Sequence, residues 1–217
     1  MQAREVHSWA ISLEAPAETR EALFATLSAD ERSRSARFRQ ERDRRRFIVA
    51  RGALRRLLGD YLALPSREIR FVYNEYGKPA LSAELESPLR FNLSHAADLA
   101  LVAIADGADV GVDVEHVSAD SDYLAIARDV LSDAEGDYLR TMPSHLRGEA
   151  FLRSWTMQEA YVKARGDGLS MPLARFTGAW SLYHLQPAPG YVGALAIAGG
   201  GWRLCQSSWN MRAPSTA

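Results

Sequence analysis

The segment Gly111-Val112-Asp113-Val114-Glu115 places two carboxylates two residues apart, between valines. On a strand, residues two apart face the same side, so Asp113 and Glu115 would project together while the valines pack inward. Neighbouring carboxylates repel each other, and burial would raise the pKa of at least one of them. A divalent cation relieves that repulsion, and oxygen-only ligands favour Mg²⁺ or Ca²⁺. The pair therefore indicates either a metal site or two solvated acids on an exposed strand edge.

A second charged pair lies in the segment from Trp155 to Lys163, which has the pattern of an amphipathic helix. Glu159 and Lys163 are four residues apart and would share one helix face. An ordinary surface ion pair at this spacing contributes about 0.3–0.5 kcal/mol. The functional alternative is a third metal carboxylate or a general base, beside an ammonium that stabilises phosphate charge.

Lysine is rare in this chain. Lysine and arginine together number 26, and only Lys78 and Lys163 are lysines. A lysine offers a compact ammonium and a proton that can leave, whereas the guanidinium of arginine stays charged and presents a planar fork. Retained lysine therefore indicates a need for a small or deprotonable cation, above all at Lys163. A chance placement is the alternative, and for Lys78 it is equally plausible.

Two further segments could bind an anion. The corner Asn92-Leu93-Ser94-His95 ends a predicted strand, and its hydroxyl, imidazole and backbone N–H groups could face a phosphate; a purely structural strand end is the alternative. Arginines crowd residues 32–46, where most would form a solvated helix face. One or two of their guanidinium forks could reach a phosphate. Phe38, within that run, is predicted to lie in the core rather than to stack on a base.

The bulk composition limits the classes of protein to consider. The 217 residues, 47% hydrophobic and 24% charged, predict one compact unit or two similar lobes. A net charge of -1 argues against a general nucleic-acid binder. Cys205 is the only cysteine, so it has no disulfide partner within the chain, and no Cys/His cluster in the sequence predicts a zinc site. No apolar run approaches the roughly 18 residues of a membrane span and no signal peptide is visible, which predicts a cytoplasmic protein.

Periodicity predicts a mixed α/β chain. Helices are predicted from the capping-box spacing of Ser28 and Glu31, over 44–62, over 123–131, after the second capping-box spacing of Ser132 and Glu135, and over 148–164. Strands are predicted at 6–13, 69–73, 90–93, 99–105, 110–114, 180–185, 191–198 and 202–209. The turn at Asp106-Gly107 divides the chain into predicted lobes at 1–106 and 107–217, the second holding the acidic motifs.

The order of these motifs resembles that of a known enzyme family. The arginine-rich helix is followed by Tyr76-Gly77-Lys78-Pro79, then by the Ser94-His95 corner, the Asp113/Glu115 strand, and Trp155 to Lys163 with Gly166-Asp167-Gly168-Leu169. From about Leu27 to about Pro172 this resembles the 4′-phosphopantetheinyl transferases of the larger, monomeric, surfactin-synthetase-activating type. The last two motifs are the most specific.

That resemblance implies both a fold and a reaction. The fold would be two similar α/β lobes related by a pseudo-twofold axis, with coenzyme A bound between them. The enzyme would use Mg²⁺, with Mn²⁺ as a substitute, to transfer the phosphopantetheine arm of coenzyme A to a serine of an apo acyl or peptidyl carrier protein. Adenosine 3′,5′-bisphosphate would leave. A monomer is implied, with neither nucleic acid nor membrane as a partner, and the sequence does not indicate which carrier protein is used.

The resemblance also implies residue roles. The metal ligands would be Asp113, Glu115 and Glu159, with Glu159 also the base for the carrier serine. Lys163 would meet the pyrophosphate and assist the leaving group. The remaining contacts to coenzyme A would come from Gly77, Lys78 and Pro79 along the adenine, Ser94 and His95 near the 3′-phosphate, Asp113 at the pyrophosphate, and Arg34, Arg42 and Arg46.

Two departures from the family pattern keep other functions open. Gln158 stands where the family usually has lysine, and of two basic positions that fall near Glu31 and Arg34 only Arg34 keeps its charge. A non-catalytic protein that binds coenzyme A or a carrier on the same fold is one alternative. A Mg²⁺-dependent phosphohydrolase that uses the three acids is another. A nucleic-acid-binding module built on the arginine run is a third, and it would need strongly salt-dependent binding.

Overall fold

The structure is a computed structural model that describes residues 4–118, 121–166 and 179–210. The part of the last motif from Asp167 to Leu169, and the tail from Met211, lie outside the described residues. In chain order the described strands are β1 Arg4–Ser12, β2 Phe71–Tyr73, β3 Pro79–Leu81, β4 Leu89–Ala96, β5 Leu99–Asp106, β6 Val110–His116, β7 Trp180–Leu185, β8 Tyr191–Ala198 and β9 Trp202–Trp209. The α-helices are α1 Ala17–Thr26, α2 Ala29–Ser35, α3 Glu41–Leu62, α4 Tyr123–Val130, α5 Asp133–Thr141 and α6 Ser144–Arg165.

The first sheet has the strand order β4-β5-β1-β9. Strand β5 is antiparallel to both β4 and β1, whereas β9 runs parallel to β1. The sheet is covered by α3, whose apolar stripe includes the fully buried Leu54 and Leu58 and packs with Ile11 and Val102. The last strand of the chain, β9, therefore belongs to the same sheet as three strands from the first half of the chain. The lobe boundary at 106/107 stays a prediction.

The second sheet has the order β6-β8-β7, with both pairs antiparallel. Helix α6 packs on β6 so closely that a Cβ atom at Gly111 would lie 2.1 Å from the carbonyl oxygen of Ala160 and 2.3 Å from the backbone nitrogen of Ala164. Only glycine allows that approach. It sets the helix that carries Glu159 and Lys163 directly against the strand that carries Asp113.

The two sheets meet along β4 and β6. The side-chain oxygen of Asn92 accepts a hydrogen bond of 3.0 Å from the backbone N–H of Val112. An apolar cluster shared by both sheets includes Leu101, Val112 and Leu195. The predicted mixed α/β class is confirmed, while the pseudo-twofold relation of the two lobes stays a prediction. None of the helices in the described ranges is long and apolar enough to cross a bilayer.

Glu31 is a buried structural acid in this fold. Its side chain closes the capping box at the start of α2, as the sequence predicts, by accepting from the backbone N–H of Ser28. It also accepts hydrogen bonds of 2.5 Å from both Arg51 and Arg55. Burial by itself would raise the pKa of Glu31, but these donors outweigh it and hold the pKa below its usual value. The loss of a basic residue at this position is thus explained by an ion cluster that anchors α2 to α3.

Glu31→Gln is expected to lower the free energy of unfolding by about 3–5 kcal/mol, because two buried guanidinium groups lose their counterion. Since the pKa of Glu31 is lowered in the folded state, its contribution is present above the unfolded pKa of about 4.3 and is lost as the pH falls through the folded pKa. Urea denaturation of wild type and variant between about pH 3 and about pH 7, from below to above the unfolded pKa, measures this. In the variant, the free energy of unfolding should fall less steeply with decreasing pH in the acid range, because the contribution of Glu31 is missing.

The matched control is Glu84→Gln. Glu84 and Arg70 form an exposed pair at 3.8 Å in which both side chains are 72% accessible, so the change should stay within about 0.5 kcal/mol. Equal losses for the two variants would contradict a structural role for Glu31.

Candidate active site

Strand β6 positions the first pair of acids as predicted. Val110, Val112 and Val114 are 0–1% exposed and face inward. Asp113 is also buried, at 3% exposure, and its Oδ1 accepts 2.8 Å from the Ser94 hydroxyl and 2.5 Å from the Lys163 ammonium. Its second oxygen, Oδ2, is buried and has no hydrogen-bond partner in the part of the chain that the structure describes. The alternative of two solvated acids on a strand edge therefore does not hold for Asp113.

Lys163 joins the three separate motifs at one point. Its Nζ lies 2.5 Å from Asp113 Oδ1 on β6 and 3.0 Å from Ser94 Oγ on β4. The sequence pattern predicts that Lys163 pairs with Glu159 on its own helix. Its closest contact is instead with Asp113 on β6. The glycine at 111 is the reason, because it lets α6 approach β6 until the lysine reaches the strand.

The pKa values of the other two acids are both raised. Burial, followed by the negative charge of Asp113, raises the pKa of Glu115, which accepts a side-chain hydrogen bond from Trp155. Burial and then the charge of Asp113 also raise the pKa of Glu159, against the opposing effect of Lys163. Glu159 Oε1 is buried and accepts no hydrogen bond from residues 4–118, 121–166 or 179–210. Among the described residues, Lys163 is the cation whose charge opposes these shifts, so one positive charge faces three carboxylates there.

This donor set fits a hard divalent cation. Asp113 Oδ2 and Glu159 Oε1 are buried oxygens that lack a hydrogen-bond partner among the described residues, and Mg²⁺ prefers carboxylate oxygens as ligands. The oxygens of Asp113, Glu115 and Glu159 do not all lie within 4.8 Å of one another, while octahedral Mg²⁺ at about 2.1 Å needs neighbouring oxygens roughly 3 Å apart. The three side chains would have to rotate inward to close around an ion.

Cations gather around His95, on the other face of β4 from Ser94. Burial, then the charges of Lys163, Arg46 and Arg34, lower the pKa of His95. Arg46 is fixed by Asp98, with N–O distances of 2.6 and 2.9 Å. These groups form a surface that attracts anions next to the carboxylate centre.

The remaining arginines differ in their placement. The Arg34 guanidinium lies over the Phe47 ring, 5.5 Å from its centroid, in a cleft of about 910 Å³. Arg42 is 69% exposed and its ion pair is with Asp43 at 3.9 Å, which does not connect it to the carboxylates. The prediction that Phe38 lies in the core is wrong, because it is 37% exposed and packs on Phe47 at the wall of the same cleft. It follows the end of α2 in an irregular segment, so helical spacing gave it no inward direction.

Lys78 donates hydrogen bonds at the C-terminal end of α6, the helix that carries Lys163. Its Nζ donates 2.7 Å to the carbonyl oxygen of Ala164 and 3.4 Å to that of Val110. Asn74, at the start of the same turn, donates 2.8 Å to the carbonyl oxygen of Gly166. A cation that donates to the last carbonyls of a helix satisfies orphan acceptors and stabilises the negative end of its dipole. The turn that contains Gly77, Lys78 and Pro79 is thereby attached to the end of α6, which no signal in the sequence indicates.

Lys78→Met is expected to lower the free energy of unfolding by about 1–2 kcal/mol, because the terminal carbonyls of α6 lose a charged donor. Thermal or urea unfolding measures the change. Arg70→Met on the same hairpin segment is the control, since Arg70 is 72% exposed and makes a weak pair. A loss for Lys78→Met no larger than for the control would contradict the capping role.

Comparison with known proteins agrees with these motifs. A model described as the 4′-phosphopantetheinyl transferase superfamily matches residues 109–191, and one described as 4′-phosphopantetheinyl transferase, N-terminal, matches residues 14–106. The 4′-phosphopantetheinyl transferase HetI of a Nostoc species is 39% identical over 213 residues, covering 92% of this chain and 90% of the relative.

Two relatives from Bacillus match over less of the chain. The 4′-phosphopantetheinyl transferase psf-1 of Bacillus pumilus is 34% identical, covering 72% of this chain and 65% of the relative. The 4′-phosphopantetheinyl transferase Sfp of Bacillus subtilis is 29% identical, covering 74% of this chain and 69% of the relative. Because the Nostoc relative is matched along nearly the whole of both chains, this protein belongs to the 4′-phosphopantetheinyl transferase family and is an enzyme of that family.

Proposed function

We propose that this enzyme transfers the 4′-phosphopantetheine arm of coenzyme A to a serine of an apo acyl or peptidyl carrier protein. The serine oxygen would form a bond to the phosphorus that carries the pantetheine. The bond from that phosphorus to the bridging oxygen would break, and adenosine 3′,5′-bisphosphate would leave. The observation that carries the proposal is the Asp113–Ser94–Lys163 cluster beside two further acids of raised pKa.

Glu159 is proposed to accept the proton of the carrier serine. A base works best when its pKa lies near the working pH, and burial raises the pKa of Glu159 in that direction. Its Oε1 is buried and has no hydrogen-bond partner among the described residues, so either a cation or a hydroxyl could contact it. Gln158, next to it, has a buried amide oxygen that likewise accepts no hydrogen bond within the described part of the chain.

Asp113, Glu115 and Glu159 are proposed to hold Mg²⁺, or Mn²⁺ in its place. When bound, such an ion neutralises phosphate oxygens and orients the leaving group. Lys163 is proposed to face the pyrophosphate and to give a proton to the departing oxygen, which an arginine cannot do. The contacts that Lys163 makes with Asp113 and Ser94 support this division of roles. They place the lysine and the hydroxyl beside the proposed metal ligands, where both could contact a phosphate.

The basic surface beside this centre is proposed to receive the rest of coenzyme A. Arg46 and His95 would meet the 3′-phosphate, and Arg34 would act from the neighbouring aromatic cleft. Ser94, on the opposite face of β4, would serve the carboxylate centre through its contacts with Asp113 and Lys163. Gly77 and Pro79 would border the adenine through a turn that Lys78 fixes to α6. Arg42 would contribute a longer-range positive charge. A cytoplasmic monomer with lobes at 1–106 and 107–217, related by a pseudo-twofold axis, completes the proposal.

The test is intact mass spectrometry of several apo carrier proteins incubated with this enzyme, coenzyme A and Mg²⁺, with an EDTA control. A mass gain of one phosphopantetheine that needs the divalent ion is the expected result. Phosphate release without a carrier would instead indicate a phosphohydrolase. Coenzyme A binding without product under every metal condition would contradict the transfer and indicate a binding protein.

A further inference from the structure

A set of unlike metal-binding side chains lies on the first sheet, away from the carboxylate centre. Glu5 and His7 are on β1, and Cys205 is on β9. Within the described ranges this is the one group of three or more His, Cys, Asp or Glu ligands whose atoms all lie within 4.8 Å of one another. Strands β1 and β9 are two and three positions along the sheet from β4, which carries Ser94. The set is therefore separate from the proposed Mg²⁺ ligands.

The register of the sheet creates this set. His7 and Cys205 are direct partners in the parallel ladder between β1 and β9. Glu5 precedes His7 by two residues and so faces the same side of the sheet. The sequence shows no metal-binding spacing, because the cysteine is far from the other two ligands along the chain. The neighbouring contact between Glu5 and Arg203 already joins residues that are 198 positions apart. Only the closing of the sheet by the last strand brings them together.

The surroundings orient the ligands as in a metal site. Tyr61 hydrogen-bonds His7 Nδ1, and the indole N–H of Trp9 donates 3.0 Å to the same hydroxyl oxygen. His7 Nε2 is thus turned to Glu5 Oε2, 3.2 Å away. Arg203 hydrogen-bonds the other oxygen of Glu5. Metal-bound histidines and carboxylates usually have such outer partners on their second polar atom.

We propose that Glu5, His7 and Cys205 bind a divalent cation of the zinc class, with water as the fourth ligand. Thiolate, imidazole and carboxylate together suit Zn²⁺, whereas Mg²⁺ takes oxygen ligands. Tetrahedral bonds of about 2.0–2.3 Å separate ligand atoms by roughly 3.3–3.8 Å. His7 Nε2 and Glu5 Oε2 are already 3.2 Å apart, and all three ligand atoms lie within 4.8 Å of one another, so small side-chain rotations suffice. Glu5, His7 and Tyr61 line an open cleft, which leaves the fourth position accessible. The ion would join β1, the first strand of the chain, to β9, which lies at the edge of the sheet.

The single cysteine makes the ligand assignment unambiguous. Reduced full-length enzyme saturated with Mg²⁺ is titrated with Co²⁺ and followed by absorption, and Zn²⁺ affinity is then measured by calorimetry. We expect a thiolate-to-cobalt charge-transfer band that Zn²⁺ abolishes, and a rise in Tm of about 5–10 °C at a Zn²⁺ concentration 100 times the Kd. Cys205→Ser should lose the band, and both it and His7→Gln should weaken Zn²⁺ binding at least about tenfold.

Asp113→Asn is the control, because it alters the carboxylate centre and should keep the cobalt band. Metal-free Cys205→Ser should also unfold at the wild-type temperature, which separates loss of a ligand from damage to the sheet. Cobalt binding without a charge-transfer band, or wild-type Zn²⁺ affinity in Cys205→Ser, would overturn the proposal. Neither result would bear on phosphopantetheine transfer.

Discussion

Glu159→Gln is expected to lower the rate of phosphopantetheine transfer by about 10³-fold. The amide keeps the shape of the side chain but can neither take a proton from the carrier serine nor supply a full negative charge to a cation. Both proposed roles of Glu159 fail together, so kcat should fall at every Mg²⁺ concentration. Steady-state transfer from coenzyme A to an apo carrier, with the product followed by mass, measures this.

The same substitution should stabilise the metal-free protein. Because the pKa of Glu159 is raised in the folded state, the folded chain binds this proton more tightly than the unfolded chain does. Stability is therefore highest below the unfolded pKa of about 4.3 and falls as the pH rises toward the folded pKa. At neutral pH in EDTA the variant no longer has this repelled charge, and its Tm should exceed that of wild type by a few degrees. Such opposition between activity and stability is typical of an active site.

Glu149→Gln on the same helix is the matched control. Glu149 is 46% exposed and pairs with Arg153 at 2.8 Å, so neither transfer nor Tm should change by more than a surface substitution does. Near-wild-type transfer by Glu159→Gln would remove Glu159 from the mechanism. A large loss of Tm would show that the residue serves the fold.

The strands at 180–185, 191–198 and 202–209 could be predicted to the residue, because Gly190 and the glycines at 199–201 separate three apolar segments. Helix α1 could not be predicted. Leu23 is its single buried residue, so no apolar stripe marks it in the sequence. Strand β3 is short and starts at Pro79, which locally disfavours a strand assignment. Elements that carry little of the core leave little periodic signal.

The acids and lysines of the site were predictable by type, but their partners were not. A spacing of four suggests Glu159 as the partner of Lys163, while the contact at 2.5 Å is with Asp113, fifty residues away. The reason is the approach of α6 to β6 at Gly111, a property of packing that residue spacing does not encode. Glu31 is a similar case: its charge is explained by Arg51 and Arg55 on the next helix. Short-range patterns identify donors, and tertiary contacts decide which donors meet.

Lys163→Arg is expected to lower kcat for transfer by about 10²–10³-fold and to raise the Mg²⁺ concentration needed for half-maximal rate by about tenfold. The ammonium of Lys163 fits between Asp113 Oδ1 and Ser94 Oγ at 2.5 and 3.0 Å. A guanidinium there would be larger and would grip Asp113 through two donors. It would compete with a cation for that carboxylate and could not release a proton to the leaving group.

Lys163→Met separates the two effects. Without a cation on Asp113, the acids repel one another more strongly and should bind Mg²⁺ at lower concentration than wild type, whereas kcat should fall as it does for Lys163→Arg. Arg165→Lys is the control, an arginine-to-lysine exchange on the same helical turn. Arg165 lies 5.7 Å from the Tyr161 ring centroid. The variant should change neither kcat nor the Mg²⁺ concentration for half-maximal rate by more than about twofold. Mg²⁺ titrations of the transfer rate for these three variants decide the matter. If Lys163→Arg turned over at the wild-type rate, charge alone would suffice at this position, and the rarity of lysine in the chain would carry no functional meaning.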